Sequence, residues 1–349
     1  MKILQVSNSY FPSVDGVAVH VRNISERIAK EHEVTVFTPN SSGMLPREEE
    51  INGVLVRRFK SFAPRGAYDL SFEMLAALRE SQFDIVHGHN YHAFPLLFSR
   101  YAKKKKFIVT PHYHRHGVTP LRDILIKLYK PFGAKILEGA NKVIAVSNFE
   151  KGLLNEDFRI DDDKITVIPN GVNWRGFNSL RRVEKSHKTI LYVARLVEFK
   201  GVQYAIQVLP LLDGNIRLEI LGKGPHKEKL VRLAKELGVE QRIDFYQDLH
   251  EKDLLDRYAN ADLFMLLSKY EAMSMAVAEA LAARLPCIVA NISALSAWID
   301  NENCFGIDYP ISLDQLAGLA NKLIGKKIAG VELWDWNDVA KQLEMVYKT

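Results

Sequence analysis

Residues 2–38, KILQVSNSYFPSVDGVAVHVRNISERIAKEHEVTVFT, decide the fold class because they alternate between two kinds of apolar pattern. The short apolar runs at 2–6 and 33–38 predict β-strands. Between them, residues 17–30 repeat apolar side chains at helical spacing and predict an amphipathic helix. The apolar face of this helix comprises Val17, Val21, Ile24 and Ile28. A strand, a helix and a strand in this order predict a parallel β-sheet covered by helices.

The same alternation continues along the chain, whose 349 residues leave room for two domains of roughly 100–200 residues each. Further strands are predicted at 84–87, 107–110, 142–146, 165–168, 189–194, 216–221, 242–245, 262–267 and 286–290. A Pro-Asn-Gly turn at 169–171 separates the first set from the second, and residues 173–188 lack an apolar period and are interpreted as a linker. We therefore predict an α/β protein with two doubly wound domains, 1–175 and 176–330.

Charge and cysteine content limit the possible classes of protein. Lys and Arg number 47 against 42 Asp and Glu, an excess too small to indicate a partner by itself. The two cysteines, Cys287 and Cys304, cannot form a disulfide framework or a Cys-ligated zinc site, so we expect a reduced, cytoplasmic compartment. The sequence has no secretory signal and no apolar run approaching the ~18 residues of a membrane span. The protein is expected to lie on a membrane surface at most.

Ligands of open parallel sheets bind beyond the carboxyl ends of the strands, so polar residues in those loops are candidate site residues. Asp15-Gly16 begins the first predicted helix, where free N–H groups and the helix dipole attract phosphate. Arg195 directly follows a strand and Lys200 opens the next helix, an arrangement that suits a diphosphate. A plain loop glycine and a solvated charged loop remain the alternatives.

Two glutamates follow the predicted strand at 262–267. Glu271 lies in the loop, and Glu279 lies about two helical turns further along the chain. At 3.6 residues per turn, this spacing leaves both carboxylates near one face of the helix. Carboxylates accept hydrogen bonds from the hydroxyls of sugars and ribose. The alternative is one capping and one surface glutamate, and spacing alone favours it.

Histidines are concentrated in two loops of the N-terminal half. The six are His87, His89, His92, His112, His114 and His116. Metal binding is the obvious alternative, but the chain has no His-Glu-x-x-His and no carboxylate within 107–116. Contacts to phosphate or sugar, or base chemistry, fit better. Loop filler is the simpler interpretation for most of the six, and His112 is the exception.

A basic stretch lies between residues 100 and 135, where ten Lys and Arg accompany a single acidic residue. Large apolar side chains are interspersed with basic ones over residues 121–137, a mixture that suits docking on an anionic membrane. The residues of this predicted membrane face are Lys103, Lys104, Lys105, Lys106, Arg122, Lys127 and Lys130. A solvated face over an ordinary core helix is the alternative. Nucleic acid is disfavoured because no reading motif accompanies the charge.

In this order, the motifs resemble the retaining glycosyltransferases of family 4. The resemblance extends over nearly the whole chain and implies the GT-B fold, two Rossmann-like domains facing across a cleft. It also implies that a C-terminal helix at 331–349 packs back on the N-terminal domain. The motifs that carry it are Tyr10-Phe11-Pro12 with Gly16, Phe83-Asp84-Ile85-Val86-His87, Ile168-Pro169-Asn170-Gly171-Val172, Ala194-Arg195-Leu196 with Lys200-Gly201, Gly222-Lys223-Gly224-Pro225, Asn260-Ala261-Asp262, and Ser268-x-x-Glu271 with Glu279.

The resemblance implies a role for each matched residue. The C-terminal domain would bind the nucleotide-sugar and the N-terminal domain the acceptor, a glycan or lipid. His112 and Glu271 would be catalytic, beside the transferred hexose. The implied donor-binding residues are Gly16, Arg195, Lys200, Gly222, Met273, Ser274 and Glu279, and the implied acceptor-binding residues are Asp15, His87, His89 and His92. No metal and no other cofactor is expected, because the cationic pair and helix dipoles neutralise the departing diphosphate.

Three positions depart from the family pattern. The glycine-rich segment after the first glutamate is here Ala272-Met273-Ser274, the usual Gly-Gly near the N-terminus is Asp15-Gly16, and residues 293–298 replace an expected Gly-Gly-x-x-Glu. These departures leave two alternatives open. One is a non-catalytic module that binds a nucleotide-sugar. The other is a different GT-B enzyme, such as a synthase of soluble saccharides or a nucleotide-sugar epimerase.

Overall fold

The computed structural model describes residues 1–63, 69–115, 120–178, 182–183, 185–329 and 331–349. The chain forms two compact units. Unit 1 comprises Met1–Gly171 and Trp334–Thr349, and unit 2 comprises Val172–Leu333. The predicted divisions at 175 and 330 lie within a few residues of these bounds.

Unit 1 contains an eight-stranded sheet in the order β3-β4-β2-β1-β5-β6-β7-β8. All neighbouring strands are parallel except β3, which is antiparallel to β4. The strands are β1 (Lys2–Val6), β2 (Glu33–Asn40), β3 (Glu48–Ile51), β4 (Val54–Lys60), β5 (Gln82–His89), β6 (Lys103–Thr110), β7 (Lys142–Ala145) and β8 (Ile165–Val167). The helices are α1 (Gly16–Ile28), α2 (Phe72–Glu80), α3 (Phe94–Ser99), α4 (Pro120–Gly139), α5 (Asn148–Phe158) and, from the C-terminal segment, α12 (Trp336–Lys348).

The predicted amphipathic pattern of the first helix is present, with one addition. Val21, Ile24 and Ile28 of α1 are buried, the predicted Val17 is only half-buried, and His20 is buried beside them. The central strand β1 buries Ile3 to Val6 because both of its faces are covered. A histidine on the buried face of a helix needs a polar partner, and His20 finds one in Asn170, in the segment after β8.

The apolar patterns did not predict β3, β4 or β14. They predicted that β6 starts at residue 107, whereas it starts at Lys103. Glu48–Ile51 is mostly acidic, which suits an antiparallel edge strand and does not give an apolar run. The lysine run 103–106 is the first half of β6. Those lysines fit a strand because β7 pairs only from Ile108 onward, so one side of the run is open.

Unit 2 contains a six-stranded parallel sheet in the order β11-β10-β9-β12-β13-β14. Its strands are β9 (Lys188–Val193), β10 (Ile216–Leu221), β11 (Ile243–Tyr246), β12 (Leu263–Leu266), β13 (Cys287–Ala290) and β14 (Cys304–Ile307). Its helices are α6 (Trp174–Asn178), α7 (Val202–Val208), α8 (Lys227–Glu236), α9 (Glu251–Asn260), α10 (Met275–Ala282) and α11 (Leu313–Leu323). The residues of β12 and β13 are all buried, as expected for strands covered on both faces. The predicted linker contains α6 and part of β9.

The C-terminal helix α12 belongs to unit 1 and packs against α1. Asp335 caps it in a capping box with Asp338, which satisfies N–H groups of the first turn. The buried side chains of α12 include Trp336 and Tyr347. The segment passes so close to Gly171 that a Cβ there would lie 2.6 Å from the backbone nitrogen of Trp336. The glycine of the Pro-Asn-Gly turn is therefore the place where α12 begins to pack on unit 1.

We expect Gly171→Ala to loosen α12, because the added methyl group meets backbone that cannot rotate away. Overpacking of this kind costs about 1–3 kcal/mol. The measurement is the thermal midpoint together with hydrogen exchange of the α12 amides. Gly152→Ala in α5 is the matched control, since a Cβ there has no atom within 4 Å and alanine favours the helix. Unchanged α12 protection in Gly171→Ala would contradict the packing argument.

Candidate functional site

The loops at the carboxyl ends of the unit 2 strands are joined by close backbone contacts. Lys269 N, after β12, donates to Phe199 O, after β9, at 2.8 Å. Gly222, after β10, has φ 150 and lies against the Ala194 carbonyl with no room for a Cβ. The residue types predicted from separate motifs therefore share one edge of the sheet. This edge is called the donor edge below, after the donor-binding residues predicted there.

Lys200 and Glu271, predicted as parts of two different motifs, form an ion pair at the donor edge. Lys200 Nζ lies 2.6 Å from Glu271 Oε1, and both side chains are mostly buried. The Glu271 N–H donates to Ser293 Oγ at 3.2 Å. Ser293 has φ 56, so the loop that departs from the family pattern adopts a glycine-like conformation and supports Glu271 directly.

Glu279 lies on α10, with its carboxylate turned toward α9. Its Oε2 accepts a hydrogen bond of 2.7 Å from the Tyr258 hydroxyl. Burial raises the pKa of Glu279 to about 7, and the hydrogen bond from Tyr258 opposes that rise. The carboxylate is thus oriented by a neutral donor and keeps unused acceptor capacity for hydroxyl groups.

The other predicted donor residues have different roles in the fold. Ser274 is the N-cap of α10, where its hydroxyl accepts from Val277 N at 3.4 Å. Met273, just before it, is partly exposed. Arg195 is exposed, and its guanidinium has no ion-pair partner within the described part of the chain. Arg195 and the paired Lys200 both lie in the segment after β9, an arrangement that an anionic ligand can complete.

In unit 1, the carboxyl ends of β5 and β6 bring histidines together. His87 and His89 end β5, and His112 follows β6 with φ 48. The ring centroid of His89 lies 4.2 Å from that of His87 and 6.1 Å from that of His112. His20, which the sequence reasoning did not select, is 5.0 Å from His112. Its position on the apolar face of a predicted helix was the available signal.

A hydrogen-bond chain fixes the orientation of this histidine group. Tyr347 Oη lies 2.7 Å from His87 Nδ1 and accepts from Gln5 Nε2 at 3.1 Å. Gln5 Oε1 in turn lies 2.8 Å from His89 Nε2. His20 Nδ1 lies 2.7 Å from Asn170 Oδ1. Burial lowers the pKa of His20 to about 4 and those of His87, His89 and His112 well below 6.5, so all four rings are neutral.

Asp15 occupies the helix N-terminus at which Gly16 was predicted to meet a phosphate. Its Oδ1 accepts from Val17 N at 3.0 Å and from Ala18 N at 3.1 Å. Gly16 itself is exposed, and a Cβ there would have no atom within 4 Å. Two N–H groups of the first turn of α1 are therefore already satisfied by a carboxylate.

Glu150 holds the loop that carries His112, and the sequence reasoning missed it. Its buried carboxylate accepts from Tyr113 N at 2.5 Å and from Val146 N at 2.7 Å. Burial raises its pKa to about 7. The Ser-x-x-Glu pattern of residues 147–150 is a helix-start signal that could have indicated it. His92, an acceptor candidate, packs on the other side of this loop against Tyr113, with ring centroids 5.9 Å apart.

The predicted membrane face divides into two parts. Lys103–Lys106 begin β6, and two of the lysines turn inward. Lys104 donates to Arg100 O, and Lys106 donates to Tyr347 O. Lys127 lies on the exposed side of α4, whereas Lys130 pairs with Asp157 at 2.9 Å. The Arg122 side chain and His116 lie outside the described residues. No described helix has both the length and the apolar character to cross a membrane.

Two family models together span most of the chain. The model described as Glycosyltransferase Family 4 matches residues 14–174, and the model described as Glycosyl transferases group 1 matches residues 178–329. The chain belongs to the group 1, family 4 glycosyltransferases. This glycosyltransferase has the GT-B fold, as the resemblance implied.

Three similar proteins illustrate the family. The uncharacterized glycosyltransferase MJ1607 of Methanocaldococcus jannaschii is 28% identical over 100% of this chain and 98% of its own. The alpha-monoglucosyldiacylglycerol synthase of Streptococcus pneumoniae is 24% identical over 93% of this chain and 78% of its own. The crystal structure of Anabaena Alr3699/HepE in complex with UDP-glucose has a TM-score of 0.79 at 16% identity, and the alignment covers 100% and 99% of the two chains.

The raised pKa of Glu279 predicts how the stability of this glycosyltransferase depends on pH. A carboxyl with a pKa of about 7 when folded and 4.5 when unfolded stabilises the fold below pH 4.5, and the contribution is lost as pH rises through 7. The loss is at most about 3 kcal/mol, at 1.36 kcal/mol per pKa unit. Glu279→Gln should flatten the fall in thermal midpoint between pH 5 and 8. Glu236→Gln, on an exposed part of α8, should leave the fall in thermal midpoint unchanged. If the midpoint falls equally with pH in the unaltered protein and in both variants, the titration of buried Glu279 is refuted.

Proposed function

We propose that this glycosyltransferase moves a hexose from a UDP- or GDP-sugar to a lipid-linked or polysaccharide acceptor, with retention of the anomeric configuration. The observation that carries the proposal is the donor edge of unit 2, where Arg195, the Lys200–Glu271 pair and Glu279 follow strands of one parallel sheet. The UDP-glucose complex of the HepE protein supports a nucleotide-sugar donor.

The proposed chemistry follows from the charges at this edge. The departing nucleoside diphosphate develops negative charge, which the guanidinium of Arg195 and the ammonium of Lys200 would stabilise. Charge neutralisation by side chains removes the need for a divalent cation at the diphosphate. Glu279 would accept hydrogen bonds from the ribose hydroxyls, since its carboxylate is oriented by Tyr258 and has acceptor positions left.

Lys200 also bears on the role proposed for Glu271. In the structure, the ammonium holds the carboxylate at 2.6 Å, and a diphosphate would compete for the same cation. Donor binding would then release Glu271 to contact the hexose. The proposed mechanism is front-face attack through an oxocarbenium-like state, with His112 beside the reacting sugar and without a nucleophilic carboxylate.

Binding of the donor is tested by thermal shift with UDP-, GDP- and ADP-sugars. A true donor should raise the midpoint, since a ligand that binds only the folded state stabilises it. Arg195→Ala and Glu279→Ala should each abolish the shift, because each removes a charged contact. Arg232→Ala and Glu236→Ala, both on the exposed side of α8, are the matched controls. A full shift in either site variant would contradict the assignment of that residue.

A turnover assay distinguishes an active transferase from a protein that only binds the donor. The assay measures release of nucleoside diphosphate with a lipid acceptor and the anomeric configuration of the product by NMR. We expect release that depends on the acceptor and an α-linked product from an α-linked donor. Tight donor binding without turnover on a broad acceptor panel would favour the non-catalytic module, which the altered residues after Glu271 motivate.

A lipid acceptor is supported by the exposed apolar surface of α4. Ile124, Leu128 and Phe132 are 55%, 66% and 61% exposed and lie four residues apart, on one face of the helix. Lys127 and Lys135 are exposed beside them. An apolar stripe flanked by lysines suits the interface of an anionic membrane. The similar pneumococcal protein is named as an alpha-monoglucosyldiacylglycerol synthase, and that name fits a lipid acceptor.

We expect Leu128→Ser/Phe132→Ser to weaken binding to phosphatidylglycerol vesicles, measured by co-sedimentation. Each side chain contributes about 1.5–3 kcal/mol when buried, so the loss should be roughly tenfold or more per residue. Met44→Ser is the control, because Met44 is 87% exposed on another loop of unit 1. Equal binding by the double variant, or equal binding to uncharged phosphatidylcholine vesicles, would exclude α4 as an anionic-membrane surface.

A further inference from the structure

Ser293, in the loop that follows β13, has a backbone conformation that serine rarely adopts. Its φ of 56 lies in the left-handed region, which is uncommon for residues other than glycine and costs free energy. Ser293 stands where the family pattern has a glycine. Residues that keep an unfavourable conformation are concentrated at active sites, where the surrounding structure maintains them. The side chain that serine adds is therefore the feature to explain.

The hydroxyl of Ser293 holds the backbone of Glu271. Ser293 Oγ accepts a hydrogen bond of 3.2 Å from the Glu271 N–H. The next residue, Ala294, donates its N–H to the Glu271 carbonyl at 3.3 Å. Both polar groups of the Glu271 backbone are thus bonded to one short segment of a different loop. Glycine or alanine in place of Ser293 could not make the first of these bonds, because neither has a side-chain acceptor.

The chain on both sides of Ser293 is fixed independently of Glu271. Before the turn, Asn291 N donates to Ile307 O of β14 at 2.7 Å. After the turn, Leu295 is completely buried in the core of unit 2. These two attachments maintain the strained φ, and they make the loop a rigid support for Glu271.

We propose that Ser293 is a positioning residue for sugar transfer, because it holds the backbone of Glu271 where the carboxylate can contact the transferred hexose. The proposal rests on the role proposed above for Glu271. The carboxylate itself is held by Lys200 Nζ at 2.6 Å, and the proposed diphosphate would take that cation. Once the carboxylate is released, its location depends on the Glu271 backbone and therefore on Ser293. A displacement of about 1 Å near the reacting atoms can cost roughly 100-fold in rate.

Ser293→Gly tests this role, because glycine adopts the same φ without strain and lacks only the hydroxymethyl group. We expect kcat to fall roughly 10–100-fold. The thermal shift given by UDP or GDP alone should be unchanged, since Arg195, Lys200 and Glu279 are unaltered. The additional shift given by the corresponding UDP- or GDP-sugar should be lost, because it reports the contact of Glu271 with the hexose. Ser293→Ala also lacks the hydroxyl and should show the same losses.

Arg284→Gly is the matched control. Arg284 has φ 60 and is exposed just before β13, at the opposite end of that strand from Ser293. The change therefore removes a side chain from the same backbone conformation away from the donor edge. It should leave kcat and both thermal shifts unchanged. Hydrogen exchange of the Glu271 amide should accelerate in Ser293→Gly and stay slow in Arg284→Gly.

Full kcat together with a full sugar-dependent shift in Ser293→Gly would overturn the proposal. Losses in Ser293→Ala but not in Ser293→Gly would overturn it as well, since they would assign the effect to the backbone conformation and not to the hydroxyl. If the unaltered chain transfers no sugar to any acceptor, the proposed function fails separately. In that case the Glu271 amide still decides the support by Ser293, which equal exchange in Ser293→Gly and the unaltered chain would refute.

Discussion

Backbone contact without intervening side chains holds the donor edge of unit 2 together. Gly201 lies against the Leu267 carbonyl and Gly222 against the Ala194 carbonyl, and neither position has room for a Cβ. These two approaches join the loops after β9, β10 and β12. The ion pair of Lys200 with Glu271 depends on them, because a pair at 2.6 Å requires its two loops to be fixed independently of the pair. A buried ion pair does not by itself stabilise a fold, so the backbone contacts, and not the pair, hold the two loops in place.

The two cations at that edge lie in different environments. Lys200 is mostly buried and neutralised by Glu271, whereas Arg195 is exposed to solvent. Removing one partner of a buried pair leaves the other unsatisfied and costs several kcal/mol. A ligand that replaces the Lys200–Glu271 contact must therefore satisfy both groups. The nucleotide-sugar proposed as donor would satisfy both, with its anionic diphosphate at the lysine and its hydroxyls at the carboxylate.

Much of the fold was predictable, because the strands of a parallel sheet covered on both faces are continuous apolar runs that are easily recognised in the sequence. The exceptions have specific causes. Glu48–Ile51 pairs at an exposed edge, and Lys103–Lys106 pair on one side only, so neither needs apolar side chains. Lys200, Glu271 and Glu279 could be selected because each follows a strand. His20 and Glu150 carry local signals, but the sequence does not reveal their contacts with His112 and Tyr113, which lie 92 and 37 positions away along the chain.

The carboxyl edges of the two sheets have opposite chemistry, and this difference limits what each unit can bind. In unit 2 the edge presents Arg195 and Lys200, which attract anions. In unit 1 the first turn of α1 is already satisfied by the Asp15 carboxylate, and the neighbouring imidazoles are neutral. A phosphate approaching Gly16 would be repelled by that carboxylate, which already accepts from the N–H groups of Val17 and Ala18. Unit 1 is therefore suited to hydroxyl groups, whereas the cations at the edge of unit 2 are suited to an anionic ligand.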